Sequence, residues 1–101
     1  MTHAALEKFL LLADRMILSN NPGEAEYGRG YQSGIKFYFD IGQHRFLPDH
    51  YCIAEIARRN GSRDVHAYVR GHHDGCMGLD PDMNFPLFFA EKERVQESVT
   101  V

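Results

Sequence analysis

The chain has 101 residues, 44% hydrophobic and 25% charged, with a formal net charge of −3. Those proportions describe one globular domain with a modest core, and the negative balance argues against non-specific nucleic-acid binding. No apolar run approaches the roughly 20 residues that a membrane span requires, since Asp14 and Arg15 interrupt the stretch Phe9 to Leu18.

Ala4 to Leu18 reads as the first helix, because Leu6, Phe9, Leu10, Ala13, Met16 and Ile17 recur at helical spacing. The run Leu10-Leu11-Leu12 widens its apolar face and predicts a central position. Asn20, Asn21, Pro22 and Gly23 stop it. Glu24 to Ile41 reads as the second helix, with Glu24 and Glu26 in the first turn and a stripe of Tyr27, Tyr31, Ile35 and Tyr38. The competing reading makes Lys36 to Ile41 a strand, since its aromatics suit a sheet; helix is preferred, with Gly42 as its stop. Pro48 to Asn60 reads as the third helix, with Pro48 and Asp49 in its first turn and Gly61 closing it. Ser62 is the expected cap of a fourth helix from about Arg63 to Gly75, with Val65, Tyr68, Val69 and His72 facing inward. After Gly78 the pattern changes. Pro81, Pro86 and the cluster Phe85, Phe88 and Phe89 predict an extended arm around the core, with a short last helix possible within Leu87 to Gln96. The fold class expected is all-α, a compact bundle of four to five short helices with an extended C-terminal arm, in one domain over residues 1–101.

The pattern Tyr-x-Arg-Gly-x-x-x-Gly occurs twice, as Tyr27, Arg29, Gly30, Gly34 and, forty-one residues later, as Tyr68, Arg70, Gly71, Gly75. Two glycines four apart lie on one helix face and leave a flat groove where another backbone can come close. Each glycine costs about 1 kcal/mol of helix propensity relative to alanine, so a tertiary contact must offset the loss. The reading is two similar helices packed through their glycines, with the first helix against both.

Charge is uneven. Residues 27–73 hold seven Arg or Lys, four acids and five histidines, whereas residues 74–101 hold six acids and two bases. An acidic tail folded over a mildly basic middle accounts for this. The chain has two cysteines, Cys52 and Cys76, expected as buried reduced thiols. With no basic leader or small-residue cleavage site, the expected compartment is the cytoplasm.

Three sets of residues suggest chemistry. His72, His73, Asp74 and Cys76 are metal-ligating types, and His72 and Cys76 share a helix face, with His50 and Cys52 as further zinc candidates. Their spacing matches no standard structural zinc site, so no metal or other cofactor is expected; His72 is read as a core residue, with His73 and Asp74 facing water. Cys76, His72 and Asp74 can also be cast as nucleophile, base and orienter, but no nucleophile elbow, phosphate loop or HExxH is present, and the balance leans away from an enzyme. Ile53 to Arg70 resembles a helix-turn-helix, with Arg58, Arg59 and Arg63 as DNA contacts, although Asn60 and Ser62 stand where apolar residues are expected beside the turn. Arg29 and Arg70, at matching places in the repeat, would either clamp an acidic group of a partner or pair with local acids such as Glu26 and Asp74 in a weak surface contact.

Ala25 to Tyr31 through Gly34, followed at a fixed distance by Arg58-Arg59-Asn60-Gly61, resembles the YghW-like family of small uncharacterised bacterial proteins over residues 25–70. The resemblance implies a small bacterial cytoplasmic protein and brings no catalytic residues. The function expected is a non-enzymatic protein–protein interaction module, bacterial or from a mobile element, that binds or inhibits a larger partner, with a homodimer as a further expectation. Its expected contact residues are Arg29, Arg70, Phe85, Phe88 and Phe89, the aromatic ones as spare surface of the arm. The alternatives are the helix-turn-helix reading and zinc held by His72 and Cys76.

Overall fold

The computed structural model describes residues 2–41 and 50–99, and side chains over residues 2–38 and 52–90. Among the described residues five helices follow in order: α1 (His3–Ile17), α2 (Pro22–Ile41), α3 (His50–Arg59), α4 (Val65–Cys76) and α5 (Pro81–Val99). The fold is all-α, with no strand among the described residues. Lys36 to Ile41 is helical and ends α2. Gly42, Pro48 and Asp49 lie outside the described residues.

Local chemistry sets the helix ends. Thr2 caps α1 through its hydroxyl, which accepts the N–H of Ala5 at 3.1 Å. Asn21 does the same for α2, its Oδ1 accepting from Gly23 at 2.9 Å and Glu24 at 3.2 Å, with Pro22 in the first helical position. At the end of α3, Gly61 adopts φ 71°, and the N–H of Ser62 reaches back to the carbonyl of Ala57 at 2.9 Å. The cap of α4 is Asp64, not Ser62: Asp64 Oδ1 accepts from Ala67 at 3.1 Å. Because Gly61 already turns the chain, Ser62 falls two residues before the cap position and its hydroxyl donates to Glu26 instead.

The segment expected as an extended arm is helical. Gly78, at φ 68°, ends α4, and Asp80 then starts α5 by accepting the N–H of Asp82 at 2.8 Å. Pro81 occupies the first helical position, where a missing N–H is harmless. Pro86 lies inside α5 and removes one ladder bond, a cost the aromatic packing beside it offsets. Phe85 sits 5.2 Å edge-on to Tyr27 and Phe88 lies 6.4 Å from it.

The glycine repeat organises the tertiary structure. A Cβ built on Gly30 would run into the carbonyl of Tyr68, and one on Gly71 into the carbonyl of Tyr27. One turn on, Gly34 meets the carbonyl of His72 and Gly75 that of Tyr31. All four approaches are far inside 3.0 Å. Contacts advance together along both helices, so α2 and α4 lie parallel and touch backbone to backbone. The relation is reciprocal: each repeat offers its glycine to the carbonyl three residues upstream in the other. The first half of the chain, α1 on α2, is thereby repeated by the second, α3 on α4.

This arrangement displaces α1 from the expected centre. It lies against α2 and α5, while α3 covers α4. Leu11 is 62% exposed, since no helix covers that side of α1. Gly28 makes the α1 contact close: a Cβ there would stand 2.9 Å from the Ala13 carbonyl oxygen. One core cluster joins Ala13, Met16, Tyr27, Tyr31, Ile35 and Ala67, flanked by Phe85 and Phe88. A second joins Ile53, Ala57 and Tyr68, flanked by Val65 and Val69.

Candidate functional site

Asp74 is the most informative polar residue. It was expected to face water, but it lies on the α2 side of α4 and is 1% exposed. A buried carboxylate needs partners, and it has three. The Tyr27 hydroxyl donates to Oδ2 at 2.6 Å, Arg70 Nε lies 3.3 Å from both oxygens, and His73 Nδ1 is 3.1 Å from Oδ1. Burial, and then the bond to Asp74, hold the Tyr27 hydroxyl far above the ordinary tyrosine range. Tyr31 is raised too, by burial first and then by Asp80, and its hydroxyl donates to the Leu79 carbonyl at 2.6 Å.

A second buried acid, Glu26, is 2% exposed and pairs with Arg29 at 2.7 Å. Both repeat arginines thus pair with local acids, as one of the two readings of the sequence held. The acids are buried, however, so these are not the weak surface contacts expected.

On its far side, the Asp74 cluster opens onto a groove of about 640 Å³ between α3, α4 and α5. The floor is α4, through Val65, His66, Val69, Arg70 and His73. Ala54 and Arg58 form the α3 wall and Phe88 the α5 wall. Among the described lining residues four are basic and none is acidic, beside apolar surface. Arg70 lies over the Phe88 ring at 5.8 Å, a cation–π contact that fixes the guanidinium at the lip.

The structure sorts the candidate residues. Arg70 and Phe88 meet in the groove, joined by Arg58 from the DNA-contact set. Arg29 sits with Glu26 and does not line the groove. Phe85 and Phe88 are core-flanking rather than spare surface, because each packs on Tyr27; Phe89 is the exposed member of the trio. Arg59 and Arg63 are exposed beside the α3–α4 turn. His66 and His73 were missed as groove residues; the signal available was their place with Arg70 on one face of α4, at spacings of four and three.

His72 and Cys76 are both buried. Neither ring nitrogen of His72 has a hydrogen-bond partner, and burial, then His73, lowers its pKa to about 4. Burial raises the Cys76 thiol to about 11, which disfavours a thiolate. Asp74 bonds to Tyr27, Arg70 and His73 rather than to His72, so nucleophile, base and orienter are not connected. Among the described residues, no three His, Cys, Asp or Glu side chains converge in a way that would hold a metal. Cys52 is exposed, against the expectation of a buried thiol, and both cysteines are free. The side chains of His50 and of the acidic tail from Glu91 onward lie outside the described ones. Among the described residues, no helix is long and apolar enough to cross a membrane.

Compared with family models, curated proteins and solved structures, the chain matches none.

Proposed function

We propose that the protein is a non-enzymatic interaction module that seats an acidic, partly apolar segment of a larger partner protein in the groove between α3, α4 and α5. The observation that carries this reading is the lining: Arg58, His66, Arg70 and His73 beside Val65, Val69 and Phe88, with no acidic side chain among the described lining residues. Such a surface complements a segment that alternates carboxylates with aliphatic or aromatic residues. The groove shape favours this over the DNA reading. A recognition helix must protrude into a major groove, whereas α4 is recessed between the α3 wall and Phe88. In this reading the protein acts in the bacterial cytoplasm, and occupying the partner's segment is how it would inhibit that partner.

Selection from an oriented peptide library, with an acidic or a basic residue fixed beside a leucine, tests the proposal. The acidic peptides are expected to be retained. Arg58 is 60% exposed, so Arg58→Glu keeps the fold and should weaken binding about tenfold, or roughly 1.4 kcal/mol. Retention of basic peptides, or an acidic peptide bound equally well by Arg58→Glu, would refute the groove assignment.

A further inference from the structure

The groove traces to one break in the repeat. In the first hairpin, Gly28 lets α1 come so close that a Cβ there would stand 2.9 Å from the Ala13 carbonyl oxygen. Forty-one residues on, the same place in α4 holds Val69. Its side chain packs against the cluster of Ile53, Ala57 and Tyr68 and lines the groove with Ala54. A glycine-type contact is prevented there, and a trough separates α3 from α4.

The floor of the trough is itself a helix surface. Val65, Val69 and His73 form one row, four residues apart, and His66 and Arg70 form a second. Rows of this kind accept a four-spaced row of another helix laid between them. From Val65 to His73 the floor runs about 12 Å, which a helix covers in a little over two turns. Such a helix, about 10 Å across, has a volume on the order of 900 Å³, against about 640 Å³ in the groove. Its inner face would be sunk and its outer face would ride above the walls. Backbone hydrogen bonding decides against an extended segment, which needs an edge strand to satisfy its N–H and C=O groups. There is no strand among the described residues. Laid on Val65, Val69 and Phe88, those groups would lose water without gaining a partner, whereas a helix satisfies them internally.

We infer that the segment seated in the groove is an amphipathic helix of the partner, with aliphatic residues four apart on Val65, Val69 and Phe88 and carboxylates turned to the Arg58 wall. This rests on the interaction-module reading above and adds the conformation of the segment. Arg58 is 60% exposed on that wall, so a carboxylate on the flank of the helix reaches it without being buried.

Fluorescence anisotropy with labelled synthetic Glu-Leu peptides tests the conformation. One peptide carries leucine at every fourth position with glutamates beside it, and a hydrocarbon staple on the opposite face holds it helical. A second has the same leucines and glutamates with proline at its centre, which breaks the helix. A third alternates leucine and glutamate strictly, as a strand would. The stapled peptide is expected to bind about tenfold more tightly than either of the others. Ala54 is half-buried on the α3 wall, so Ala54→Trp fills the trough and should lower that affinity about tenfold, with the fold checked by circular dichroism. Equal affinity for the three peptides, or a preference for the broken or alternating one, overturns the helix and leaves the groove assignment standing. A stapled peptide held equally well by Ala54→Trp lies outside the groove and overturns the inference. Failure of all three peptides to bind removes the groove assignment as well.

Discussion

Two neighbouring residues on α4 show how burial decides the fate of a polar group. Asp74 is buried and fully partnered, whereas His72 is 7% exposed and both its ring nitrogens go unpaired. His72 occupies the repeat position of Tyr31, whose longer side chain reaches a backbone carbonyl at Leu79. Imidazole is shorter than phenol, and the equivalent bond is not made. The ring stays neutral because charging it in that site would remove an ion from water without return. Its folded pKa of about 4 is below the ordinary 6.5, so between those values the unfolded chain binds the extra proton. Stability is therefore complete above pH 6.5 and falls as the pH drops to 4, by about 3 kcal/mol in total. Urea titrations of the wild type and of His72→Leu, at a series of pH values, check this: the variant should lose most of the slope in that window.

At the scale of the elements, the α2–α4 crossing depends on four missing Cβ atoms. At Gly30 and Gly71 the clashing atoms are backbone carbonyls, which cannot rotate aside as a side chain can. Gly30→Ala or Gly71→Ala must push the helices apart along their shared length and should cost about 3 kcal/mol or more. Gly61 provides the contrast. It has open space around it, and only its φ of 71° opposes a side chain, so Gly61→Ala should cost about 1 kcal/mol. Thermal melts of the three variants rank them. Equal losses at Gly30 and Gly61 would show that the crossing is looser than the backbone contacts imply. The same reciprocal contact accounts for the exposure of Leu11, since α2 and α4 take the centre and leave α1 and α3 on the flanks.

The whole molecule behaves as two helical hairpins joined through their second helices, and the two thiols report on it. Cys52 is exposed on α3, while Cys76 is buried near the Gly75 contact, with its thiol raised to about 11. A thiol reagent should modify one cysteine at once and the other only as the crossing opens. Slow labelling should accordingly accelerate in Gly30→Ala, and two fast thiols in the wild type would contradict the packing described. What the sequence determined by itself were the features with a local or periodic cause. These are the first four helices, the punctuation at Gly61 and Gly78, the buried stripe Tyr27-Tyr31-Ile35, and the pairing of glycine faces, because the pattern was written twice; α5, read as an extended arm, is not among them. Tertiary structure alone decided which faces were left over. Asp74 looked like a solvated helix residue until Tyr27 approached across the crossing, and Phe85 and Phe88 looked like spare surface until Tyr27 covered them. The basic groove exists only because α3 and α5 stand on either side of α4; a distance between side chains on three helices has no counterpart in the spacing along any one of them.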